Sequence, residues 1–302
     1  MPVSDPNAPA CHRPGVSSMW HPTQRTVARP VDLSGVGIHT GQAVRLRLHP
    51  APPGTGVVFR RVDASAEAIP VRPHAVSDAH RGVTLGRGVT VRTVEHLLAA
   101  AAGVGVANLL VELDGPELPI LDGSAAPFVS ALREAGVVDQ GAPWPSVAVS
   151  DPVWVGGEGA WVLVLPAPRF RATYAVVLRE PLGVQVVDFD PQAADFAAEI
   201  APARTWGYAD DLPELHAAGL GRGVAADNVL ALGPAGYLTP PRWADEPARH
   251  KVVDLIGDLA LLGRPLRAHV IACGAGHALH VEAARRLWEQ MTPQSARSTP
   301  SP

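Results

Sequence analysis

The chain has 302 residues, 47% of them hydrophobic, and a formal net charge of −4. A chain of this size buries a substantial core and is long enough for two domains. The acidic balance, without any long basic run, argues against a general nucleic-acid binder, so no nucleic-acid partner is expected. The longest apolar stretch, residues 97–111, is interrupted by two glycines and Asn108, and it predicts no transmembrane segment.

Both ends of the chain, residues 1–22 and 292–302, are rich in proline, serine and other polar residues, which predicts disordered tails. The N-terminal stretch lacks the apolar segment of a secretory signal. The two cysteines, Cys11 and Cys273, cannot form a disulfide framework. These features favour the reducing cytoplasm as the location.

A first domain is predicted over residues 23–140. Between about 25 and 63, apolar and polar residues alternate between glycine and proline breaks, which indicates short antiparallel strands. The elements that follow are a helix over 94–102, a strand over 108–113 and a second helix that begins near Ser124. Ser124 or Asp122 could cap this second helix.

A second domain, residues 141–291, is predicted to repeat that order without visible sequence identity. The elements expected there are the strands "VWVGG", "AWVLVLPA", "RATYAVVL" and "VQVVDFD", a helix over 246–262, the strand "AHVIAC" and a helix over 278–290. The segment 136–147, with its glycines and prolines, is predicted to be the turn between the domains. The fold class is α+β: two similar domains, each a small, mainly antiparallel sheet packed against paired helices, with the active site between them.

The segment "RHKVVDLIGD" places His250, Asp254 and Asp258 four residues apart, on one face of a helix. The apolar residues between them predict a buried surface, so the three polar side chains should project into an enclosed site. A histidine and a carboxylate one turn apart can bind a metal. By itself such a pair arises often by chance, and polar groups satisfied within a core are the commoner explanation.

Two further segments strengthen the metal interpretation. "TVEHLLAAAAG" places Glu95 beside His96 at the start of a helix. Two histidine nitrogens, one carboxylate oxygen and an open position describe a catalytic zinc site, with Glu95 left over as a base. "CGAGHALH" places His277 after a glycine-rich turn, where loops often carry reactive side chains, although alone it would be an ordinary histidine at a helix start.

The motifs together resemble those of the zinc-dependent UDP-3-O-acyl-N-acetylglucosamine deacetylases of lipid A, and hence lipopolysaccharide, biosynthesis. The similarity runs from about Thr26 to about Gln290. It is carried by "SGVGIHTGQAV", "TVEHLLAA", "VELDGPELPILDGSAAPF", "ARTWGY", "DEPARHKVVDLIGDLALLG" and "GHAL", in the order of the family. The two similar domains of that family agree with the internal duplication.

The resemblance implies a role for each matching residue. The zinc (Zn²⁺) ligands implied are His96, His250 and Asp254. The catalytic groups implied are Glu95 as general base, His277 as a protonated group at the reacting centre, Asp258 as its orienting partner and Thr205 as an oxyanion contact. The substrate-binding residues implied are Lys251, Trp206 and Tyr208, the last two near an acyl-chain passage with residues 212–220.

The activity implied is removal of the N-acetyl group from UDP-3-O-(3-hydroxyacyl)-N-acetylglucosamine with release of acetate, the committed step of lipid A biosynthesis. The expected partner is this small-molecule substrate, an acylated UDP-amino sugar, with transient contact to a membrane surface and a monomeric protein. Two alternatives are a related zinc amidase acting on a different acylated amino sugar and a catalytically silent lipid-binding module. Retention of Glu95, His277 and all three ligands disfavours the silent module.

Overall fold

The computed structural model describes residue 19 and residues 21–291. The predicted disordered tails therefore lie outside the described residues, apart from Met19 and residues 21–22. The strands are β1 (Thr23–Val27), β2 (Val31–Val36), β3 (Ala43–Pro50), β4 (Val57–Arg61), β5 (Ser65–Pro70), β6 (Val76–Asp78), β7 (Thr84–Leu85), β8 (Val91–Arg92), β9 (Leu109–Leu113), β10 (Val137–Pro143), β11 (Val147–Ala148), β12 (Val153–Gly157), β13 (Ala160–Pro166), β14 (Arg171–Val177), β15 (Val184–Phe189), β16 (Trp206–Tyr208), β17 (Leu230–Gly233), β18 (Gly236–Tyr237) and β19 (Leu266–Cys273). The α-helices are α1 (Glu95–Val104), α2 (Ala126–Glu134), α3 (Phe196–Glu199), α4 (Leu212–Ala217), α5 (Glu246–Leu259) and α6 (His277–Met291).

Two main sheets share one topology. The first has the strand order β2-β3-β9-β4-β5, and the second has the order β12-β13-β19-β14-β15. In each sheet the last strand along the chain inserts in the middle, antiparallel to the second strand and parallel to the third. This confirms the α+β class and the internal duplication expected from the sequence.

Each central strand buries alternate side chains, as a sheet with one covered face requires. In β9 the buried residues are Leu109, Val111 and Leu113, and in β19 they include Val270 and Ala272. Helices α5 and α6 pack on the second sheet, and α2 packs on β2 of the first. Helix α1 pairs with α2 in the first repeat, and α5 pairs with α6 in the second. Helix α1 also packs against α5, and this contact joins the two repeats.

The segment 136–147 differs from its prediction as a turn. It contains strand β10, which pairs with β1, and β11, which pairs with β19. Gly141 lies inside β10 with a left-handed φ of 68°, where the register of the β1–β10 ladder shifts, and Pro143 ends the strand. The small sheets β6-β7-β8 and β16-β17-β18 were not predicted either, because strands of two to four residues are too short to show a clear alternation.

The sequence predicts Ser124 or Asp122 as the cap of α2, but both residues precede the position that caps the helix. Ala125 occupies the cap position, and the hydroxyl of Ser124 accepts a hydrogen bond from the backbone of Ala126 at 3.2 Å. Asp122 in turn accepts the Ser124 backbone N–H at 3.0 Å. Across the residues that the structure describes, no helix combines the length and the apolar character needed to cross a bilayer.

Candidate active site

Three helices bring the predicted site residues to one place. Glu95 and His96 begin α1, His250 and Asp254 lie one turn apart in the middle of α5, and His277 is the first residue of α6. The first four of these side chains are buried and His277 is half-buried. The site is therefore enclosed, as the apolar pattern around it predicts.

His96, His250 and Asp254 form a compact group whose ligand atoms all lie within 4.8 Å of one another. Oδ1 of Asp254 is 3.2 Å from Nε2 of His250 and 3.8 Å from Nε2 of His96. The two imidazole rings stand at 89° to each other, with centroids 5.1 Å apart. The fold thus gathers the three residues that the sequence marks as metal ligands.

The backbone fixes the tautomer of His250. Its Nδ1 lies 3.0 Å from the carbonyl oxygen of Ala203, which only accepts, so Nδ1 is the donor and the neutral ring has its lone pair on Nε2. Oδ1 of Asp254 is buried and has no hydrogen-bond partner within the described residues. Two acceptors therefore face each other across 3.2 Å. Buried acceptors without a donor are costly, and a divalent cation between them would satisfy both.

The charge states of this group suit metal binding. Burial foremost lowers the pKa of His96 to about 3, so its ring is neutral at pH 7. Burial opposes ionisation of Asp254, but the positive charge around it, including that of Lys251, outweighs burial and holds its pKa well below the usual range. Nζ of Lys251 lies 2.9 Å from Oδ2 of Asp254. Neutral imidazoles and an ionised carboxylate are the forms that bind metals.

Glu95 lies beside the metal-binding group without belonging to it. Its Oε2 accepts the backbone N–H of Val83 at 2.9 Å, while Oε1 lies 3.8 Å from Nε2 of His277. Burial, reinforced by the Asp258 and Asp254 carboxylates and opposed by His277, raises the pKa of Glu95 to about 7. A carboxyl group with a pKa near neutrality is suited to taking up and releasing a proton.

A chain of polar side chains extends behind His277. Nδ1 of His277 and Nδ1 of His280 each lie 2.8 Å from Oδ2 of Asp258. Nε2 of His280 lies 3.0 Å from the hydroxyl of Tyr174. Burial disfavours a charged ring at His277, but the surrounding carboxylates, Asp258 foremost, outweigh burial and raise its pKa to about 10. His277 is therefore protonated at neutral pH, with Nδ1 oriented by Asp258.

Asp258, His277 and His280 also lie close enough together to hold a metal ion. One carboxylate oxygen of Asp258, however, already receives the Nδ1 hydrogens of both histidines. A protonated His277 has no lone pair to offer a metal. This second cluster is therefore a hydrogen-bond network that positions His277.

Comparison with known proteins decides the family. The family model described as UDP-3-O-acyl N-acetylglycosamine deacetylase matches residues 24–289. The chain belongs to this deacetylase family. Curated relatives named UDP-3-O-acyl-N-acetylglucosamine deacetylase include one from Thermosynechococcus vestitus, 44% identical over 89% of this chain and 95% of that protein. Others come from Myxococcus xanthus, 44% identical over 87% of this chain and 86% of that protein, and from Leptospira biflexa, 37% identical over 89% and 91%.

The deacetylase-family match includes Thr205, which lies in a segment tied to α5. The Thr205 backbone N–H donates to the carbonyl oxygen of Gly123 at 2.7 Å. Two residues earlier, the carbonyl oxygen of Ala203 accepts from His250. Thr205 is half-buried, and its backbone is held from two sides.

Trp206 and Tyr208, which the deacetylase family suggests lie near an acyl-chain passage, follow Thr205 in strand β16. Nε1 of Trp206 donates to the carbonyl oxygen of Pro247 at 3.2 Å, and its ring meets that of Tyr208 edge-on at 6.2 Å. The hydroxyl of Tyr208 accepts the backbone N–H of Arg179 at 2.7 Å. Both side chains are half-buried, and Trp206 contacts the start of α5.

Several residues that support the site were not singled out from the sequence. His280 follows His277 by three residues, a helical spacing that could have indicated it, whereas nothing near Tyr174 in the chain points to the site. The Arg204 side chain and backbone N–H bind the fully buried Glu246 at 2.9–3.1 Å. This ion pair fixes the Thr205 segment to the first turn of α5.

Proposed function

We propose that this chain is a zinc-dependent hydrolase that removes the N-acetyl group from UDP-3-O-(3-hydroxyacyl)-N-acetylglucosamine and releases acetate in lipid A biosynthesis. The observation that carries the proposal is the unpartnered, buried Oδ1 of Asp254, which faces the lone pair of His250 across 3.2 Å. A bound cation would satisfy both of these buried acceptors. The names of the curated relatives support the substrate.

His96, His250 and Asp254 would hold the zinc ion. Three protein ligands leave one position open, which is typical of catalytic zinc sites, whereas structural sites are usually closed by four ligands. Zinc bound there would polarise the acetamide carbonyl and lower the pKa of a water molecule toward about 7. Lys251 donates to the second oxygen of Asp254, Oδ2, which leaves Oδ1 as the oxygen without a partner among the described residues.

Glu95 is the proposed general base. Its Oε2 is anchored by the backbone of Val83, which leaves Oε1 facing the site. In that position Oε1 can accept the proton of the attacking water. The anchoring also limits the rotation of the carboxylate, so that proton transfer occurs in a fixed direction.

His277 is the proposed general acid. Asp258 holds its Nδ1, which leaves the Nε2 hydrogen facing the site, 3.8 Å from Glu95 and 3.9 Å from Asp254. That proton passes to the nitrogen of the sugar amine as the C–N bond of the acetamide breaks. The hydroxyl of Thr205 would contact the oxygen that becomes negative, an interaction worth about 3–4 kcal/mol in comparable sites. The products are acetate and the free amine.

Further parts of the proposal concern the substrate and the domains. Lys251, Trp206 and Tyr208 would contact the substrate, the last two along its acyl chain. Residues 23–140 and 141–291 would form the two domains. The protein would be a monomer in the cytoplasm, and it would contact the membrane briefly through its acylated substrate.

The test is release of acetate from UDP-3-O-(3-hydroxyacyl)-N-acetylglucosamine by zinc-loaded protein, with the Glu95→Ala variant assayed in parallel. We expect release by the parent and a loss of at least about a hundredfold in the variant, the usual contribution of a general base. Release at equal rates would contradict the role of Glu95. No release by parent protein that holds one zinc would contradict the substrate and favour an amidase acting on another acylated amino sugar.

A further inference from the structure

A cavity of 430 Å³ opens on the side of α1 and α5 away from the metal-binding group. Its wall includes Leu98 and Ala102 of α1 and Ile256 and Leu259 of α5. Leu98 follows His96 by two residues, a rotation of about 200° around the helix axis, so the two side chains point to opposite sides of α1. The volume is within the range of small-molecule sites. None of the proposed catalytic, metal-binding or substrate-binding residues lines it.

The floor of the cavity is apolar and well buried. Leu98, Val106, Phe170, Leu259 and Leu262 line it and are each at most 4% exposed. These residues come from both repeats of the fold, so the cavity lies in the cleft where the repeats meet. Such clefts are common places for ligands. The floor is suited to a hydrocarbon chain.

Both charged residues that the structure describes at the rim of the cavity are arginines. Arg72 and Arg264 are the charged residues among those that line the cavity, and both are exposed. Within the described part of the chain, neither arginine makes an ion pair, although the Arg72 guanidinium lies 5.9 Å above the ring of Trp288. Among the residues that the structure describes, no aspartate or glutamate lines the cavity, in a chain whose net charge is −4. The rim therefore favours an anion.

The amide side chains of the cavity are already engaged by the protein. Oε1 of Gln24 accepts from the backbone of Gly54 at 2.7 Å and from the amide of Asn108 at 2.9 Å. Oδ1 of Asn108 accepts from the backbone of Gly56 at 2.8 Å. The two arginines are thus the charged groups of the described lining that remain for an anionic ligand head.

The chain's own ends do not match this cavity. The sequence of residues 1–20 contains five large apolar residues, Met1, Val3, Val16, Met19 and Trp20, and its longest run of them is the Met19–Trp20 pair, of which Met19 already lines the cavity. Residues 292–302 contain none, and their one charged side chain is Arg297. Neither segment has the continuous apolar run and the negative end that the cavity favours.

We propose that this cavity binds a single-chain fatty acyl carboxylate, with the hydrocarbon on the floor between α1 and α5 and the carboxylate at Arg72 and Arg264. Arginine pairs well with carboxylates because its planar fork donates two parallel hydrogen bonds. The site is separate from the proposed active site and goes beyond the deacetylase reaction. Whether the protein hydrolyses any substrate has no bearing on this binding.

The test uses the full chain and dodecanoate below its micellar concentration, with binding measured by calorimetry. One variant reverses the rim charges, Arg72→Glu with Arg264→Glu, and a second fills the cavity, Ala102→Trp. The control is Arg87→Glu with Arg133→Glu, two exposed arginines outside the cavity. Dodecanol serves as the uncharged probe, and circular dichroism checks that each variant folds.

We expect dodecanoate to bind the parent and the control alike. It should bind the Arg72→Glu with Arg264→Glu variant at least about tenfold more weakly, the loss typical of one charge-assisted contact. Binding to Ala102→Trp should weaken at least as much, because the indole ring would occupy the space of the hydrocarbon. Dodecanol should bind the parent about tenfold more weakly than dodecanoate, because it lacks the carboxylate. A dodecanoate analogue with a photoreactive diazirine should label residues 98–106 or 256–266. Labelling confined to residues 205–220, or equal binding by all variants, would overturn the proposal. So would binding only to anionic phospholipid vesicles.

Discussion

Gly257 of α5 packs directly against the backbone of Glu95 at the start of α1. A Cβ atom on Gly257 would lie 2.1 Å from the Glu95 carbonyl oxygen, which is far inside van der Waals contact. The two helices can therefore approach closely only because this position has no side chain. The contact sets their spacing at the level where His96 of α1 faces His250 and Asp254 of α5.

We expect Gly257→Ala to weaken both folding and metal binding. In an open helix this change is stabilising by about 1 kcal/mol, because alanine has the higher helix propensity. Here the methyl group must push α1 away, and overpacking of this kind typically costs about 1–3 kcal/mol. Chemical unfolding and zinc titration of the metal-free protein would measure the two effects.

The matched control is Gly157→Ala, because a Cβ there has no heavy atom within 4 Å and the backbone is not left-handed. That variant should keep the parent stability within about 0.5 kcal/mol. Unchanged zinc affinity in Gly257→Ala would contradict the view that helix spacing sets the metal site.

Glu95 and His96 are adjacent in the chain, yet we expect their substitutions to separate two roles. His96→Ala removes a ligand, so purified protein should hold much less than one zinc per chain. Glu95→Gln leaves the ligand set intact, so it should hold one zinc and lose activity. Metal analysis beside the acetate assay measures both, and a Glu95→Gln protein without zinc would make Glu95 a ligand instead of a base.

Zinc should also stabilise the parent protein. A ligand that binds only the folded state adds RT ln(1 + [L]/Kd), which is about 2.7 kcal/mol at a hundredfold excess over Kd. The melting temperature should therefore rise when zinc is added to metal-free protein, and it should respond much less in His96→Ala. An equal rise in both proteins would indicate that zinc binds elsewhere.

The sequence predicts the long helices of this fold well, but it does not predict strand β10. The expected helix over 246–262 corresponds to α5 and a following 3₁₀ turn, and the expected helix over 278–290 corresponds to α6. These long helices carry a clear apolar period, which is a local property of the chain. Strand β10, within the expected turn at 136–147, exists because β1 lies opposite it, and pairing across more than a hundred residues leaves no local signal.

For the site, the spacing of residues within one helix indicated which side chains lie together. It did not indicate which residues of other elements contact them. His250 and Asp254 could be paired from their separation of four residues. Tyr174, by contrast, reaches His280 from strand β14, and Ala203 fixes the His250 tautomer through its backbone carbonyl. A backbone carbonyl has no sequence signature, so the tautomer of His250 could only come from coordinates.

The charge of His277 depends on Asp258, and this can be tested in the metal-free protein. The surrounding carboxylates raise the pKa of His277 to about 10 despite burial. Asp258→Asn removes the nearest negative charge, so the charged ring loses stabilisation and the pKa should fall. An NMR pH titration of the His277 ring in both proteins measures the change.

The control for this titration is Asp32→Asn, an exposed carboxylate on β2 that should leave the His277 pKa in place. In the parent, the ring should remain protonated through pH 8. A His277 that titrates near 6.5 in the parent, the value of an isolated histidine, would show that Asp258 does not hold its proton.

The ion pair between Arg204 and Glu246 connects the Thr205 segment to α5. Both side chains are buried, and Glu246 also accepts the backbone N–H of Arg242. Burial disfavours the Glu246 carboxylate, but these donors outweigh it and keep its pKa below the usual value. Glu246→Gln keeps the shape and removes the charge, which leaves a buried guanidinium without a counter-ion. Breaking such a pair costs about 3–5 kcal/mol in comparable proteins.

Because the folded-state pKa of Glu246 is lowered, its contribution should be present above the unfolded pKa and be lost as pH falls through the folded value. The stability gap between parent and Glu246→Gln should therefore shrink in acid, as measured by urea unfolding at several pH values. The control is Glu282→Gln, which breaks an exposed helical pair with Arg286 and should cost less than about 1 kcal/mol. A gap that is small at pH 7, or constant down to acid pH, would mean that Arg204 is held by its other contacts and not by the charge of Glu246.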